Sequence, residues 1–91
     1  MSTAVWKFPI NIVDDQQIEM PEHAQILHVG GQDGRLCLWV RVNPANAKVA
    51  RRISVRGTGH TIEKGQLAPA NGFYLGSAQV GPFVWHVFEA V

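Results

Sequence analysis

Apolar residues in this 91-residue chain recur mainly in twos and almost nowhere at the three-to-four spacing of a helix. Nine Gly and five Pro cut the chain into pieces rich in Val, Ile, Phe and Trp, which is the pattern of short strands joined by turns. Over Ala4–Ile10, Trp6, Phe8 and Ile10 fall on one face, with Val5 and Lys7 on the other. Pro9 cannot donate to a ladder, so this piece reads as an edge strand or a strand end. Asn11–Asp15 reads as a connection, Gln16–Met20 as an alternating strand, and Pro21-Glu22-His23 as a tight turn.

Asp33-Gly34 between two alternating apolar runs is the strongest local signal and predicts a type I′ hairpin of Ala24–Gln32 with Arg35–Asn43. A two-residue loop sets the register. Gln32 then pairs with Arg35, Val29 faces Leu38 and Leu27 faces Val40, giving a core side that also takes Leu36 and Val42. The other side sets His28 opposite Trp39, Ile26 opposite Arg41 and Gly30 opposite Cys37, a mixed face expected to be partly covered. Asn43–Ala47 is a turn-rich loop. Arg51–Gly57 is a strand with Ile53 and Val55 inward and Arg52, Ser54 and Arg56 outward, with a short resumption at Thr61-Ile62. Glu63–Asn71 is irregular, with at most one helical turn. Phe73–Val80 and Phe83–Glu89 form a last hairpin around Gly81-Pro82, and both faces of its second strand are apolar, which suits a central strand or an interface. The expected architecture is one all-β domain over residues 1–91, a small sandwich or open barrel of six to seven mostly antiparallel strands. The shared Trp and Phe content suggests pairing the first strand with the last.

Composition narrows the function classes. The chain is 46% hydrophobic and 16% charged, against about 25% charged in an ordinary domain. A formal charge of +1 removes bulk electrostatics as a reason to bind nucleic acid or an anionic membrane. No apolar run approaches the ~18 residues of a membrane helix, and the N-terminal residues lack signal-peptide features. Cys37 stands alone, so no disulfide closes within the chain, in keeping with a reducing cytosol.

Candidate chemistry is sparse. Gly57-Thr58-Gly59-His60, with Arg56 before it, reads either as a β-bulge or strand corner or as a ligand loop approaching a phosphate; it lacks the Gly-Lys-Ser/Thr ending and following helix of a P-loop. His28, His60 and His86 have no close-spaced metal partner, so no metal and no cofactor is expected. Cys37 lies mid-strand between Leu36 and Leu38, where an inert buried thiol is ordinary, and no catalytic constellation emerges. Arg41, Arg51, Arg52 and Arg56 form the cationic group, with Trp39 within reach.

Trp6-Lys7-Phe8-Pro9, Met20-Pro21, Ala24-Gln25-Ile26-Leu27-His28-Val29, Cys37-Leu38-Trp39, Gly57-Thr58-Gly59-His60 and Val84-Trp85-His86-Val87-Phe88 occur in that order. Together they resemble a family of small, largely uncharacterised phage and prophage proteins, over Trp6 to Glu89. Where a Gly is common in the Pro21 turn, this chain has His23. The resemblance implies a phage product in the bacterial host cytoplasm and carries no enzymology. The expected function is therefore binding rather than catalysis, to a host protein as a takeover or anti-defence inhibitor, with Trp39, Arg41, Arg56 and Trp85 as anchors. A homodimer is a sub-case. The alternatives are a nucleotide-binding protein using Gly57, Thr58, Gly59 and His60, and a minor virion or assembly component.

Overall fold

The structure, a computed structural model, describes residues 2–63 and 72–90. Seven strands follow in order: β1 (Ala4–Pro9), β2 (Gln16–Pro21), β3 (Gln25–Gln32), β4 (Arg35–Val42), β5 (Lys48–Gly57), β6 (Phe73–Val80) and β7 (Phe83–Ala90). They pair antiparallel in two sheets, β1-β4-β3 and β2-β5-β7-β6. The result is a small all-β sandwich and not a closed barrel. Of the piece Glu63–Asn71, only Glu63 is described, and it is not in a strand or helix.

The alternation of β4 explains the core. Leu36, Leu38, Val40 and Val42 are all buried on one face, and they meet Met20, Ile53, Val55 and Val87 from the opposite sheet. Trp6, Phe8 and Ile18 pack at the margin of this layer. The two sheets come together along β3 and β6, where Val29 lies against Gly76; a methyl built on Gly76 would stand 3.3 Å from the Val29 side chain. On the inner face of the second sheet, the Arg51 guanidinium is held by both oxygens of Glu89 and donates to the Ala24 carbonyl at 2.8 Å. The hydrogen bond to Glu89 raises the Arg51 pKa above the ordinary arginine range, partly opposed by burial.

Both predicted two-residue hairpins form. Asp33 and Gly34 have φ of 53° and 75°, as a type I′ turn requires. Gly81 has φ 62° and Pro82 follows it, as in a type II′ turn, with Val80 paired to Phe83. The last strand is central, between β5 and β6. Other expectations are corrected. β1 pairs with β4 and not with the last strand, because β7 is already flanked on both sides. The β3–β4 register holds from Gln32 to His28 and then slips at a bulge, which carries Ile26 inward opposite Val40 and leaves Leu27 exposed. β5 starts at Lys48, three residues earlier than its apolar pattern suggests, because backbone pairing with Met20 and Pro21 needs no apolar side chain. Thr61 and Ile62 lie outside any strand.

The β2–β3 turn holds a departure from ideal chemistry. The Ala24 N–H donates to the Pro21 carbonyl at 3.2 Å, and His23 sits at φ 66°. This is a left-handed position where a side chain costs about 1–2 kcal/mol. His23→Gly is expected to raise stability by about 0.5–1 kcal/mol, after the extra chain entropy of glycine is discounted, in chemical denaturation. Leu38→Ala, at the centre of the core, is expected to lower it by about 3 kcal/mol in the same measurement.

Candidate functional site

Gly57-Thr58-Gly59-His60 ends β5 in a four-residue turn. The His60 N–H donates to the Gly57 carbonyl at 3.0 Å, and Gly59 takes the positive φ of 85°. The turn also closes through a side chain, since the Gly57 N–H donates to His60 Nδ1 at 3.2 Å. The imidazole therefore folds back over Gly57, and a methyl there would lie 2.7 Å from the ring. Glycine at this position makes room for the histidine. With Nδ1 accepting, neutral His60 carries its proton on Nε2.

Trp85, paired with Gly57 on the next strand, meets the edge of His60 at a centroid separation of 6.1 Å. Phe83 stands 5.9 Å from Trp85 on its other side. Gly57, Thr58, His60, Pro82, Phe83, Val84 and Trp85 enclose an open cleft of about 270 Å³. Among the described residues its walls include no Asp, Glu, Lys or Arg. The Trp85 Nε1–H is buried and has no acceptor among the described residues, an arrangement that costs free energy and is uncommon in folded domains.

A hydrogen-bonded chain runs along the outer face of the same sheet. Tyr74 Oη lies 2.8 Å from His86 Nδ1, and Thr58 Oγ1 lies 2.7 Å from His86 Nε2. Three elements thus converge on one imidazole, and Tyr74 packs edge-on to Phe88 at 5.2 Å. This chain ties the turn to the last strand through Thr58.

The predicted binding residues divide among three places. Gly57, Thr58, His60 and Trp85 line the cleft, and Gly59 shapes the turn. Arg56 points the other way, is only 6% exposed, donates to Ser54 Oγ at 3.1 Å and pairs with Asp14 at 3.6 Å. Asn11–Asp15 folds over this side of β5, with the Val55 N–H donating to the Val13 carbonyl. Arg56 consequently does not reach the cleft as a phosphate clamp. Trp39 and Arg41 lie on the outer face of the other sheet. Arg52 is drawn to Asp15, whose carboxyl is held below its usual range mainly by that hydrogen bond. His28, His60 and His86 do not converge, and among the described residues no group of three or more His, Cys, Asp or Glu is placed to hold a metal. Phe83 was not singled out by sequence reasoning, although alternation already put it on one face with Trp85.

The chain matches a known family along its full length. It belongs to DUF7352, a domain of unknown function, over residues 1–91. No curated protein and no solved structure matches the chain. Among the described residues of this DUF7352 domain, no helix is long and apolar enough to cross a membrane. Gly57→Ala is expected to displace His60 from its place over the DUF7352 cleft. Loss of the Nδ1 hydrogen bond then costs about 1 kcal/mol, and the change at Trp85 is read as a shift in tryptophan emission.

Proposed function

We propose that this domain acts by binding a protein partner, which inserts one apolar or aromatic side chain between Phe83, Trp85 and His60. The observation that carries this reading is the cleft itself, a neutral, aromatic-walled hollow at the tip of the last hairpin. Phe83 remains 61% exposed at its mouth, and neighbouring Val84 is 40% exposed. A small charge-poor domain gains by covering such side chains, and Trp-centred pockets with aromatic rims are the usual energetic centres of protein interfaces. A volume of about 270 Å³ lies at the small end for ligand pockets, which suits one inserted ring better than a whole nucleotide.

The resemblance to phage and prophage proteins makes a bacterial host protein the expected partner, with inhibition of a host or defence complex as the role. A place in a virion is the competing assignment. The polar chain Tyr74–His86–Thr58 serves here to hold the turn rigid, so that the cleft is formed before the partner arrives.

Retention of a partner on immobilised domain tests this. A species held by the wild-type chain is expected to be lost with Phe83→Ser and kept with Trp39→Ala. Equal retention by wild type and Phe83→Ser would remove the cleft from the interface.

A further inference from the structure

The outer face of the β1-β4-β3 sheet has a charge pattern that the net charge conceals. Direct cross-strand partners share a face, so the registers lay it out in rows. Val5, Arg41 and Gln25 form one row, and Lys7, Trp39 and His28 the next. Pro9, Cys37 and Gly30 follow, then Arg35 beside Gln32. No Asp or Glu occupies any of these positions. Glu22 and Asp33 sit only in the turns at the two ends of the sheet.

The ion pairs show the same segregation. Arg51, Arg52 and Arg56, all on β5, are each matched to a carboxylate. Lys7 and Arg35 instead meet neutral amide oxygens, of Gln32 at 2.6 Å and Asn11 at 3.3 Å. Arg41 has no carboxylate partner among the described residues, and all three cations are exposed. Along β4, Arg35 and Arg41 are six residues apart, about 20 Å, and Trp39 lies between them. The Trp39 ring is half-buried and packs against His28 at a centroid distance of 5.6 Å. Both rings lean across Gly30, where a methyl would stand 3.0 Å from His28 and 3.1 Å from Trp39. The missing side chain lets the aromatic pair lie low over the sheet.

We propose that this face binds single-stranded nucleic acid, stacking a base on Trp39 and His28 and seating backbone phosphates on Lys7, Arg41 and Arg35. Small antiparallel sheets bind single strands by this combination of an aromatic platform and flanking cations. A duplex keeps its bases stacked on one another and cannot use the platform. The near-zero net charge does not oppose such binding, because Asp14 and Asp15 pair with arginines of β5, Glu22 and Asp33 sit in strand-end turns, and Glu19 and Glu89 belong to the other sheet. The surface is separate from the cleft beside Trp85.

Fluorescence anisotropy with labelled oligodeoxynucleotide and oligoribonucleotide single strands, at low salt, tests it in the full chain. Three phosphate contacts predict a plot of log affinity against log salt with a slope of about −2. Trp39→Ala is expected to weaken binding about tenfold, and Arg41→Glu or Lys7→Glu, both at exposed positions, to abolish it. Phe83→Ser is expected to leave it unchanged, so failure here and failure of the cleft reading are distinguishable. Preference for one of the two strands would identify the nucleic acid. No binding at low salt overturns the proposal, as does equal affinity for duplex or polyglutamate, or affinity insensitive to Trp39 and Arg41.

Discussion

One thin apolar layer holds this domain together, and its thinness governs the rest. Alternate residues of β4 fill it from one side, and Ile53, Val55 and Val87 fill it from the other. A strand can give only every second residue to such a layer. In a chain this small, the remaining half of each strand must face water, a covering loop or another molecule. The two outer faces are therefore where the domain differs from a generic sandwich.

The faces are treated differently. Outside β5, the Asn11–Asp15 connection folds over Ser54 and Arg56 and matches the arginines with Asp14 and Asp15. That face is neutralised and covered. Outside β4, no carboxylate among the described residues pairs with the cations, and an aromatic pair lies between them. The hairpin tip holds a third kind of surface, a neutral aromatic hollow whose floor exists because Gly57 yields its side-chain space to His60. The cationic aromatic face and the cleft are thus chemically different surfaces on one small domain.

Strain sits at the edges of this arrangement and not within it. His23 occupies a left-handed position suited to glycine, and Trp85 keeps a buried indole N–H without an acceptor among the described residues. His23 lies in the β2–β3 turn, and Trp85 lines the cleft beside the end of β5. The core residues of β4, by contrast, alternate without interruption.

Much of this was legible from sequence alone. Asp33-Gly34 and Gly81-Pro82 announced their hairpins because turn chemistry is local, and alternation sorted the faces of β1, β4 and β7 because a strand's period is intrinsic to its backbone. The chain alone also determined the all-β class. Tertiary structure alone decided which strands became neighbours, since pairing joins segments far apart in sequence through backbone groups that every residue carries alike. It placed the bulge that turned Leu27 outward, it hid Arg56 beneath the Asn11–Asp15 connection, and it set Lys7 beside Trp39. The two candidate surfaces were legible only in part, His28 opposite Trp39 and the Gly57–His60 turn being local, because each is completed by side chains on different strands, and a net charge or a periodicity contains no information about which of them will meet.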